Sequence, residues 1–136
     1  MTLWRCALAV AVLVAPATPL PAAAESAPSP SSVEIVISKR TFSPAVTALR
    51  LGVPVTLVLR NEDDDLHAFV PLLLFQRANV QVTGNGAPEF NETGFVRVLI
   101  PSHGKAELRF TPKTDGRFFY ICDLPGHQMR AEIVVQ

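Results

Sequence analysis

Cysteine, long apolar runs and an excess of either charge are all scarce in this 136-residue sequence, and each scarcity excludes something. There are two cysteines, Cys6 and Cys122. The first lies in the apolar run Cys6–Val14 behind Arg5, and Ala22-Ala23-Ala24 precedes Glu25, the pattern of an export signal with a small-x-small cleavage site. Residues 1–24 are therefore expected to be removed as a signal peptide. Cys6 goes with them, so the exported chain keeps one thiol and has no internal disulfide. The run is well short of the roughly 20 apolar residues of a spanning helix, so no membrane span is expected after cleavage. Cys6 stands at the front of the run, directly after Trp4-Arg5, which excludes a lipid-modified cysteine. Basic and acidic residues number 12 each, and loss of Arg5 leaves a formal charge of −1. That balance offers no electrostatic basis for binding nucleic acid. Sustained helical periodicity is also missing.

Alternation with a period of two is plentiful instead. Residues 25–32, rich in serine and proline, read as a flexible leader, and ordered structure is expected from Val33 onward. Val33, Ile35 and Ile37 alternate as in a strand with one buried face. Phe42-Ser43-Pro44 leads into Val46–Leu51, Gly52 marks a turn, and the β-branched run from Val53 to Arg60 fits a central strand. Asn61 and four consecutive carboxylates, Glu62 to Asp65, then feed a strand that carries His67. Little regular structure is expected from Gln76 to Phe95. Val96, Val98 and Ile100 alternate again and, across a turn at Pro101-Ser102-His103-Gly104, are expected to pair as a hairpin with Ala106, Leu108 and Phe110. Arg117–Ile121 and the tail after Met129 complete the pattern. Strands at such short intervals predict one all-β domain over residues 33–136, a sandwich or barrel of about seven or eight strands. The length from Glu25 onward suits a single domain.

Chemistry concentrates near the C-terminus, where a thiol, an imidazole and a thioether fall within eight positions at Cys122, His127 and Met129. A lone thiol in an oxidising compartment is open to oxidation and mispairing, so burial or metal binding is expected of Cys122. Inert burial is the commoner fate of single cysteines, but the neighbours favour metal. Soft thiolate, borderline imidazole and weak thioether suit copper rather than calcium or magnesium, which take oxygen donors. A trigonal copper site needs a second imidazole, for which His67 is the candidate. His103, in a turn, reads as a surface residue. The carboxylates of Glu62–Asp65 read as a solvated loop or as a patch steering a basic partner.

These pieces together resemble the cupredoxins, the type 1 or blue copper proteins of the plastocyanin and azurin kind. The resemblance runs through Phe42-x-Pro44, Gly52 with the strand to Asn61, His67 before an aromatic, Tyr120-x-Cys122, Pro125-Gly126-His127, and Met129 before a terminal strand. It implies a Greek-key β-sandwich and one copper ion held by His67, Cys122, His127 and Met129. One departure bears on mechanism. Met129 follows His127 by two residues where the family commonly has three to five, which leaves open an axial Met129, an axial Gln128 amide, no strong axial ligand, or Met129 as core packing. The resemblance implies a one-electron carrier cycling between copper(I) and copper(II) with a redox protein partner; the signal peptide implies export to the periplasm or outside the cell, and the exported chain is expected to be a monomer. A module for copper capture, delivery or resistance uses the same ligands. A cofactor-free interaction sandwich is the third class. A binuclear copper centre needs a second cysteine, and a zinc hydrolase needs a paired general base. Neither is present, so no enzymatic activity is expected.

Overall fold

The structure is a computed structural model that describes residues 29–136. The expected signal peptide and residues 25–28 of the leader lie outside the described residues. Every regular element among them is a strand: β1 (Ser31–Ser38), β2 (Thr41–Ser43), β3 (Val46–Leu49), β4 (Val55–Asn61), β5 (His67–Pro71), β6 (Gln81–Gly84), β7 (Ala87–Asn91), β8 (Gly94–Ile100), β9 (Lys105–Phe110), β10 (Gly116–Cys122) and β11 (Met129–Val135). They form a five-stranded sheet in the order β2-β1-β4-β9-β6 and a six-stranded sheet in the order β3-β11-β10-β5-β8-β7. The all-β sandwich is as expected. Its eleven strands exceed the expected seven or eight because the sheet edges are made of short strands, β2, β3, β6 and β7, of which β6 and β7 have no buried residue to betray them. No helix among the described residues is long and apolar enough to cross a membrane.

The core forms where the two sheets face each other. Ile35, Ile37, Leu57, Leu59, Ala106 and Leu108 from the first meet Phe69, Val98, Ile100, Tyr120 and Ile133 from the second, and all are buried. Fully burying one such aliphatic side chain contributes about 1.5–3 kcal/mol, so the interior dominates stability. Tyr120 packs its ring against Phe42 and Phe69, with centroids 4.8 and 4.9 Å away. Burial raises the pKa of its hydroxyl, which keeps that residue a neutral core aromatic.

Three expectations are corrected. β1 begins at Ser31, two residues ahead of Val33, because its parallel pairing with β4 continues through Ser31↔Val55 and Ser32↔Thr56 although both serines are exposed. The segment from Gln76 to Phe95 holds β6 and β7; β6 pairs with β9 and β7 with β8. Finally, β8 and β9 are not a hairpin. β8 pairs with β5 and β7, while β9 pairs with β4 and β6. The turn at Pro101–Gly104 carries the chain from one sheet to the other, so the two alternating faces meet across the core instead of side by side.

Candidate metal centre

One end of the sandwich gathers the start of β5, the end of β10, the start of β11 and the loop after β4. β5 brings in His67 opposite Ile100 of β8, and the ring is fully buried. On β10, Tyr120 and Cys122 share the inward face by the two-residue period of a strand. A tight turn follows. The His127 N–H donates to the Leu124 carbonyl at 3.0 Å, with Pro125 and Gly126 between them and Gly126 at φ 79°. Proline at the second position and a left-handed glycine at the third are what a type II turn requires. The turn folds His127 back toward the strand it has just left.

The result is a compact donor cluster. One ligand atom from each of His67, Cys122 and His127 lies within 4.8 Å of the others. Cys122 Sγ is 3.4 Å from His127 Nδ1, and the two imidazole centroids are 4.9 Å apart. The Ala68 N–H donates to Cys122 Sγ at 3.3 Å. Cys122 is buried and free, while His127 is half-buried and presents an edge to solvent.

Met129 stands opposite Cys122 in the β10–β11 register, and it too is buried. Directly paired residues leave the same face of a sheet, with Cβ atoms about 4.5–5.5 Å apart, so the thioether rises beside the thiol. Gln128, on the alternate position, is exposed. His103 lies apart from the cluster, exposed at a turn with φ 53° and bonded to Asp64 at 2.8 Å. Sequence reasoning thus named the three clustered donors and set His103 aside.

It missed the support around them. Asn61 is buried, and its side-chain amide donates to the carbonyls of Asp65, Ile100 and Pro101 at 2.8, 3.1 and 3.0 Å. Its own carbonyl oxygen accepts the Asp63 N–H at 3.0 Å. The acidic loop is thereby fixed to the turn between β8 and β9. Within that loop the carboxylates are engaged one by one: Glu62 with Arg60, Asp63 with His67, Asp64 with His103 and Asp65 with Arg40. Only their position next to His67 in sequence could have signalled this. On the other flank Arg97 joins Glu89 of β7 at 2.8 Å to Asp123 at 2.8 Å, which ties down the first residue after Cys122.

Donor chemistry decides which group fits. His67 Nε2 is bonded to Asp63 Oδ2 at 2.9 Å, whereas His67 Nδ1 is buried without any partner. An unpaired imidazole nitrogen in a dry interior costs free energy, and coordination to a metal would satisfy it. With a buried thiol and a second Nδ1 beside it, the set is one that soft, imidazole-seeking copper fits.

The sequence matches the family described as the Cupredoxin-like domain over residues 5–135. The chain belongs to that family. Among solved structures, this cupredoxin-like chain is similar to auracyanin A, a "blue" copper protein of the green thermophilic photosynthetic bacterium Chloroflexus aurantiacus, at 18% identity and TM-score 0.59 over 79% of this chain and all of the other. It is also similar to auracyanin B, at 16% identity and TM-score 0.57 over 78% and 88% of the two chains. A reduced single-site mutant of amicyanin matches at 16% identity and TM-score 0.52 over 77% and 82%. At such identities the likeness concerns the fold. No curated protein matches the sequence. In this cupredoxin-like fold His67, Cys122 and His127 are positioned to bind a single copper ion, as in type 1 sites.

Proposed function

We propose that the chain is an exported, single-copper electron carrier, with His67, Cys122 and His127 as the principal ligands and Met129 as a weak axial donor. The observation that carries this reading is the buried cluster of two imidazoles and one thiol within 4.8 Å of one another. The opposition of Met129 to Cys122 supports the fourth donor. Export rests on residues 1–24 and their cleavage pattern, with the mature chain starting at Glu25.

Bound copper would supply a one-electron couple between copper(I) and copper(II). The protein's part is geometric. β5 and β10 belong to one hydrogen-bonded sheet, so His67 and Cys122 keep their separation whatever the charge on the site, which limits rearrangement on electron transfer. The Ala68 N–H stabilises negative charge on Cys122 Sγ. Burial of Cys122 and Met129 excludes water. The half-buried His127 edge is the one ligand open toward a partner, so electrons are expected to enter and leave there. A redox protein docking over His127 is the partner this implies.

Absorption on adding copper(II) tests the reading. An intense visible thiolate-to-copper band is expected from the wild type and is expected to vanish in Cys122→Ser, with the β-sandwich still folded by circular dichroism. A colourless complex that holds only copper(I) would favour copper capture and delivery over electron transfer.

A further inference from the structure

The loop that carries Asp63 meets the β1–β2 turn, and that turn is unusual. Ser38 pairs with Thr41, so Lys39 and Arg40 make a two-residue hairpin with both residues left-handed, at φ 53° and 55°. Such turns normally take Asn-Gly, because side chains are strained there. Here the strain is offset by one ligand. The Lys39 N–H donates to Asp63 Oδ1 at 2.6 Å and the Arg40 N–H to Oδ2 at 2.8 Å. Successive backbone N–H groups in such a concave turn make a site for an anion. The same Oδ2 faces His67 Nε2 at 2.9 Å.

We propose that Asp63, seated on the Lys39–Arg40 turn, is the positioning residue of the copper centre: it fixes His67 as the Nε2–H tautomer, leaves Nδ1 with a free lone pair for metal, and biases the site toward copper(II). Both backbone groups are donors only, so the carboxylate accepts from them and from the ring alike, and Nε2 is the nitrogen that must carry the proton. In the neutral ring that leaves Nδ1 bare, which accounts for the one buried imidazole nitrogen without a partner. An anion behind a ligating imidazole makes the ring a stronger donor and favours the higher oxidation state. The same contact ties a buried ligand of one sheet to the β1–β2 edge of the other, through a residue with no place in the ligand set.

This inference rests on the copper reading, and its test separates the two. Histidine nitrogen NMR of the metal-free protein at neutral pH should find His67 as the Nε2–H tautomer in the wild type and in Asp63→Asn, which keeps an acceptor, and as a tautomer mixture in Asp63→Ala. Copper(II) affinity should fall about 10- to 100-fold in Asp63→Ala, the usual loss on removing such a partner. In copper-loaded Asp63→Asn the reduction potential should rise with the visible band retained. A merely structural Asp63 would leave the tautomer and potential unchanged, and that result overturns the proposal, as does an Nδ1–H His67 in the wild type. Loss of the band and of copper(II) binding by the wild type, with tautomers as expected, would sink the copper reading while leaving the positioning role of Asp63 intact. If Asp63→Ala fails to fold, the Asp63→Asn potential decides.

Discussion

Met129 is the residue at which the short spacing after His127 matters most. A loop of six residues separates Cys122 from Met129, yet the β10–β11 register sets the two directly opposite, so the strand pairing itself delivers the thioether to the donor cluster. Replacing Met129 with Leu nearly conserves volume and should cost under about 1.5 kcal/mol in stability. If the sulfur is the axial donor, the variant keeps copper but loses a soft ligand, and the hydrophobic replacement excludes water. The reduction potential is then expected to rise and the visible spectrum to shift, read by voltammetry and absorption at matched copper loading. An identical potential and spectrum would leave a three-ligand site. At this scale Cys122 and His127 were legible because Cys and His are rare residue types and stand five positions apart, and His67 because it opens a strand directly after the acidic turn. Asp63 was not. Its role arises from a contact with His67 and with a turn 24 residues upstream, and four consecutive carboxylates look alike in sequence.

Among the elements, β4 is the test of where stability resides. It is the central strand of its sheet, and Val55, Leu57, Leu59 and Asn61 all point inward and are buried. Leu57→Ala should cost about 2–5 kcal/mol in a denaturant titration, whereas Leu73→Ala, at a residue 58% exposed, should stay within about 0.5 kcal/mol. Equal losses would mean that the core is not where the buried alternation puts it. Alternation is what made β1, β4, β8, β9 and β10 readable, since each must present a regular apolar face. It encodes which face is buried but not which strand lies alongside. Thus Val98 and Ile100 were correctly assigned to an inner face and wrongly given Ala106 and Leu108 as sheet neighbours. β6 and β7 were missed for a simpler reason: their side chains are mostly exposed, and their backbone pairing to β9 and β8 leaves no hydrophobic trace.

At the scale of the whole fold, the charges of the described residues are distributed largely as local pairs rather than as one large field. Arg40 holds Asp65, Arg60 holds Glu34 and Glu62, Arg97 holds Glu89 and Asp123, and Arg117 holds Glu132. The acidic loop is thus largely compensated at close range, which weakens its capacity to steer a distant basic partner and favours its local, structural use. These pairs have a common pH signature. Asp65 is held below its ordinary carboxylate pKa by its bond to Arg40, Glu89 by its bond to Arg97, and Glu107 by its bond to Lys105. For a group whose folded pKa is depressed, the stabilisation is complete above the unfolded value and is lost as pH falls through the folded one. The unfolded values are 3.8 for Asp and 4.5 for Glu. Thermal unfolding of metal-free Cys122→Ser, which avoids thiol oxidation, should therefore draw no loss from these three carboxylates between neutral pH and about pH 5.5 and a progressive loss below about pH 4.5. Because the pairs are exposed, that acid loss should shrink when the salt concentration is raised and the Debye length shortens. Stability that rose on acidification from pH 4.5 to 3, or an acid loss indifferent to salt, would contradict a molecule held at its surface by these carboxylate pairs.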